Sequence, residues 1–92
     1  MILMVSMSKK QWYQIVHSLR NEAAEHNLGV KAEYFDKGVR LKLYDMYDKI
    51  VLSEVTITEA GTFKDEIIFM YVDAEHKCFV SSTQAIFGLM NA

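Results

Sequence analysis

Glu66-Ile67-Ile68-Phe69-Met70-Tyr71-Val72 is the stretch on which the fold of this chain turns. Extended, it points Ile68, Met70 and Val72 to one side and Ile67, Phe69 and Tyr71 to the other. Neither side is polar, so a sheet containing it needs cover on both faces. Its density of β-branched and aromatic residues favours a strand. A helix is the competing reading over 63–74. Thr62-x-x-Asp65 has the spacing of a cap, and Phe63, Ile67, Met70 and Ala74 would then share one stripe.

Downstream, Asp73 to Lys77 reads as a hairpin loop before a last strand, Cys78–Ser81. A short helix follows, with Ser81 as N-cap, Gln84 at N3, and Ile86, Leu89 and Met90 on its apolar side. With Gly88 inside, that helix depends on packing.

Upstream, residues 8–28 form an amphipathic helix. Ser8 and Gln11 make a capping box, and Met7 and Trp12 a hydrophobic staple. Trp12, Ile15, Val16, Leu19 and Ala23 recur at helical spacing. Gly29 is placed to close the helix in a left-handed conformation. Residues 30–45 read as a hairpin turning at Lys37-Gly38, with Ala32 opposite Leu43 and Glu33 opposite Lys42. Val39, Leu41 and Leu43 then line the inner face, with Arg40, Lys42, Tyr44, Lys31, Glu33 and Phe35 on the outer. Asp45 and Asp48 bracket a turn, where aspartate bonds locally. A third strand runs from about Lys49 to Thr58. A bulge near Ser53-Glu54 brings Ile50, Leu52, Val55 and Ile57 to one face. Glu59-Ala60-Gly61-Thr62 reads as a loop.

The fold class that follows is α+β. An N-terminal amphipathic helix packs on an antiparallel sheet of about five strands, with a short C-terminal helix. Residues 1–92 make one domain, in which residues 1–7 are an extension or an edge strand.

Composition narrows function by exclusion. The 92 residues are 51% hydrophobic and 24% charged, ordinary for a folded domain, and the net charge of −2 gives no general attraction to nucleic acid. Residues 1–49 carry eight basic and six acidic side chains, for +2, and residues 50–92 two basic and six acidic, for −4. The apolar run at residues 1–5 is too short to span a membrane. A single cysteine, Cys78, allows no internal disulfide, and a reducing cytoplasm fits that best.

The chemistry-bearing residues are scattered. His17 and His26 sit on opposite sides of a helix, and His76 with Cys78 supplies two ligands where zinc takes three or four, so no metal site is expected. Cys78 has Asp73 and Glu75 close by, the wrong setting for a low-pKa nucleophile. Glu22 and Glu25 read as a solvated helix flank. No glycine-rich nucleotide loop or nucleophile elbow is present, so neither a cofactor nor an enzymatic activity is expected. Lys9 and Lys10, at the start of the first helix, read as tolerated surface charges.

The remaining candidate is the outer face of the sheet. Phe35, Arg40, Lys42 and Tyr44, joined by Ile67, Phe69 and Tyr71, combine arginine with aromatics as interface centres do. The expected function is a non-enzymatic protein-interaction module of adaptor or inhibitor type. Its partner is another protein or a second copy of the chain. The alternative is nucleic-acid binding through Lys31, Arg40, Lys42, Phe35 and Tyr44, by aromatic stacking on a basic sheet.

Overall fold

A computed structural model describes residues 7–92. Helix α1 (Lys9–Ala24) is followed by strands β1 (Leu28–Phe35), β2 (Gly38–Asp45), β3 (Val51–Phe63), β4 (Glu66–Val72) and β5 (Lys77–Val80), and by helix α2 (Thr83–Met90). The five strands form one antiparallel meander in the order β1-β2-β3-β4-β5. The expected α+β architecture is present, and the 63–74 ambiguity resolves as strand. The edge-strand reading of residues 1–7 lies outside the described residues except for Met7, which is not in a strand.

The start of α1 follows its local code. Ser8 Oγ accepts from the Gln11 backbone N–H, and the Gln11 side chain accepts from the Ser8 backbone N–H at 2.8 Å. Trp12, Val16, Leu19 and Ala23 then fall on one buried stripe. The Met7 backbone N–H donates to Glu59 Oε2 at 2.8 Å, which ties the helix entry to β3. The helix ends earlier than residue 28. Asn27, not Gly29, takes the left-handed conformation (φ 59°), and Gly29 lies inside β1. The reason is visible at Gly29, where a Cβ would fall 2.3 Å from the Tyr44 ring of the neighbouring strand. The glycine makes room for a side chain rather than ending a helix.

The β1–β2 hairpin turns at Asp36-Lys37, so that Ala32 pairs with Leu41, Glu33 with Arg40 and Phe35 with Gly38. This register differs from Ala32 opposite Leu43, but the shift is even, so every side chain keeps its face. Gly38 is drawn into the strand because β3 passes so close that a Cβ there would lie 2.1 Å from the Ile57 carbonyl oxygen. Asp45 Oδ1 accepts from the Tyr47 N–H and Asp48 Oδ1 from the Ile50 N–H, forming the expected turn.

Strand β3 is longer than expected. Residues 59–62 are not a loop; they continue the strand through a bulge at Ala60, with Gly61 at φ 144°. A second bulge lies at Leu52 rather than at Ser53-Glu54, and Ile50, Val51 and Leu52 stay exposed. The final strand ends at Val80, and Ser82 rather than Ser81 caps α2, its Oγ accepting from the Ala85 N–H at 3.2 Å.

Both helices lie on one side of the sheet. The core between the layers contains Trp12, Val16 and Leu19 of α1, Val39, Leu41 and Leu43 of β2, Val55 and Ile57 of β3, and Ile86, Phe87 and Met90 of α2. Stacking of His26 on Phe87 at 5.3 Å joins the end of α1 to α2. Tyr13 meets Tyr34 edge-on at 4.7 Å, and Arg20 Nε donates to the Val30 carbonyl at 3.1 Å, so α1 also covers part of the free edge of β1. Burial raises the Tyr34 hydroxyl pKa, with the Arg20 charge opposing it.

Candidate functional site

The placement of β4 on the sheet corrects the sequence reading. Phe69 and Tyr71 belong to the inner face and are buried, and Ile67 packs against the same core. Tyr71 pairs with Ile57 of β3, and the Phe69 ring lies 5.7 Å from that of Trp12. Both alternating sets of β4 are apolar, so hydrophobicity alone did not choose between them. The gap between helices and sheet takes the bulkier aromatic pair. The Tyr71 hydroxyl also finds a partner at the rim, donating to Asp73 Oδ2 at 3.0 Å. A buried phenol with its hydrogen bond made loses little by desolvation. Desolvation, then that hydrogen bond and the Asp73 charge, push the Tyr71 pKa far above its ordinary value.

Phe35, Arg40, Lys42 and Tyr44 lie on the outer face as expected. Strand pairing extends their rows across the sheet. One row reads Phe35, Gly38, Thr58, Met70, Phe79; the next reads Glu33, Arg40, Thr56, Val72, Lys77. The outer face therefore has two halves. On β1 and β2 it is polar: Glu33 opposes Arg40, Lys42 opposes Glu54, and Lys31 and Lys49 each hold an ammonium 5.6 Å from the Tyr44 ring centroid. Beyond Thr56 and Thr58 of β3 it is apolar along β4, formed by Ile68, Met70 and Val72 with Phe63 of β3 and Phe79 of β5 beside them. Phe79 is 67% exposed and Phe63 61%. No helix among the described residues lies over this side.

Ile68, Met70, Val72, Phe63 and Phe79 are the residues that sequence reasoning missed. The signal for Phe79 was present: it alternates with Cys78, which packs on the core, and with buried Val80. Phe63 follows residues 59–62, which read as a loop and are strand.

The other chemistry-bearing groups do not converge. His76 lies on the β4–β5 loop, its Nδ1 3.3 Å from Asp73 Oδ1. Cys78, two residues on, faces inward beside Tyr71, and Glu22 sits away on α1. The hollow of about 440 Å³ next to His76 is lined by Glu54, Asp73, Glu75 and Met90, without Cys78 or Glu22. Asp73 serves the loop. Burial raises its pKa, but the N–H groups of Glu75 and His76, the Tyr71 hydroxyl and the His76 charge together outweigh burial and hold the carboxyl below the usual range. Among the described residues no three His, Cys, Asp or Glu side chains are grouped as metal ligands, and no helix is long and apolar enough to cross a membrane.

Comparison with known proteins returned no match, whether to family models, to curated proteins or to solved structures.

Proposed function

We propose that this chain is a non-enzymatic protein-interaction module that docks through the outer face of β3, β4 and β5. The observation that carries the reading is the contiguous apolar surface of Ile68, Met70, Val72 and Phe79 on the side of the sheet away from both helices. Apolar area that a small domain leaves open is used most often for association. Phe79 is the central aromatic, and truncation of such an anchor commonly costs about 2 kcal/mol of binding. An adaptor or inhibitor working in the cytoplasm is the role that suits a small domain of this kind.

Nucleic-acid binding through Lys31, Arg40, Lys42, Phe35 and Tyr44 is the weaker reading. Glu33 and Glu54 stand opposite Arg40 and Lys42 and offset their charge. Phe35 and Tyr44 lie at opposite ends of the β1–β2 outer face, too far apart to stack neighbouring bases.

The test places a photo-reactive benzoylphenylalanine at position 79, and separately at position 33, in cells that express the chain natively. Adducts from position 79 and none from position 33 are expected. Equal adducts from both, or none from 79, contradict the reading.

A further inference from the structure

We propose that the hollow between α1 and the free edge of β1 binds a nucleoside monophosphate, with the phosphate on Arg20, His17 and Lys10 and the base against Tyr13. The hollow lies on the helix side of the sheet, and nothing in it depends on the docking face proposed above. Its volume of about 730 Å³ falls in the range of small-ligand sites.

Two elements bring the side chains together. Lys10, Tyr13, His17 and Arg20 recur at three- and four-residue spacing, so α1 presents them along one flank. Tyr34 of β1 closes the hollow from the sheet and meets Tyr13 edge-on at 4.7 Å. Arg20 Nε donates to the Val30 carbonyl at 3.1 Å. That bond fixes the guanidinium and leaves its terminal amino groups beside the Tyr34 hydroxyl. Burial keeps Tyr34 in its phenol form, which is a donor.

The charge here is of one sign, and no carboxylate lines the hollow. Glu22 lies about 140° around the helix from His17, and Glu33 alternates with Tyr34 onto the outer face of the sheet. Glu25 lies past the end of α1, and Asp36 in the β1–β2 turn. Among the described residues none of these acids forms an ion pair with Lys10, His17 or Arg20. The first turn of α1 adds Lys9 and carries no acid. A phosphate monoester answers this set: the Arg20 fork takes two of its oxygens, and the imidazole, the ammonium and the phenol donate to the rest. Tyr13, 50% exposed beside them, offers aromatic surface on which a base can stack.

The test is titration of the isotope-labelled chain with adenosine monophosphate, inorganic phosphate and adenosine in separate arms, followed by amide resonances in NMR. Saturable shifts at Tyr13, His17, Arg20 and Tyr34 are expected, with Met70 and Phe79 unmoved. Adenosine monophosphate should bind most tightly, inorganic phosphate more weakly at the same resonances, and adenosine least. Lys10→Ala and His17→Ala, on the exposed surface of the helix, should each weaken the nucleotide about tenfold with the rest of the spectrum unchanged. Tyr13→Leu should lower its affinity to that of inorganic phosphate. Absence of saturation at millimolar nucleotide, shifts centred elsewhere, or affinity indifferent to both Lys10→Ala and His17→Ala overturns the inference. So does adenosine or inorganic phosphate binding as tightly as the nucleotide.

Discussion

Tyr71 and Asp73 show how one side chain decides the face of a strand. Tyr71 is fully buried because its hydroxyl reaches a carboxylate that the loop N–H groups already hold in place. No pattern of apolar residues announces such a contact; it depends on a rim position known only after the loop is folded. The contact has a pH consequence. Asp73 has its folded pKa depressed, so the stability it contributes is present above the unfolded carboxylate pKa of about 4 and is lost as pH falls through the lower folded value. The urea midpoints of the wild-type chain and Asp73→Asn should therefore differ at about pH 6 and converge as pH falls below the unfolded carboxylate value of about 4. A gap that stays constant over that range would show that the carboxylate charge is not what matters. At the same scale, Phe35, Arg40, Lys42 and Tyr44 were legible because charge alternates with apolar residues along β1 and β2. Ile67, Phe69 and Tyr71 were misplaced because along β4 nothing alternates.

Among the elements, those with local chemistry were readable and those without it were not. The Ser8–Gln11 box, the Asp45–Asp48 turn and the bounds of β4 all rest on residues within a few positions of each other. The Ala60 bulge does not. Glu59 and Gly61 look like loop residues until β4 is laid beside them, and only then does pairing through to Phe63 become favourable. The β3–β4 turn that follows was hidden for the same reason. Lys64 and Asp65 both adopt positive φ, 50° and 64°, as a two-residue turn between strands requires, yet neither is glycine or asparagine. Each such residue carries a local penalty of about 1 kcal/mol. Asp65→Gly should accordingly raise the unfolding free energy by up to about 1 kcal/mol, less the entropy of a freer unfolded chain, read from urea denaturation. A destabilised variant would mean that the Asp65 side chain contributes more than its backbone conformation costs.

For the molecule as a whole, the imbalance read from β4 survives with its two sides exchanged. One apolar set is sheltered by α1 and α2, and the other looks outward among Phe63 and Phe79. The sequence could show that both sides were apolar. It could not show which side the helices take, because that depends on where β4 pairs with β3. The outward set has a methionine at its centre, and methionine oxidation reports exposure directly. Met70 stands on the proposed docking face, Met46 is exposed elsewhere, and Met90 is buried in the core. Oxidative footprinting by mass spectrometry, on the dilute purified chain and in the cell, therefore has its controls built in. Met70 should be oxidised more readily than Met90 in the dilute chain and be protected in the cell, while Met46 reacts in both. Met70 as protected as Met90 in the dilute chain, or equally reactive in both settings, would contradict the existence of a docking face.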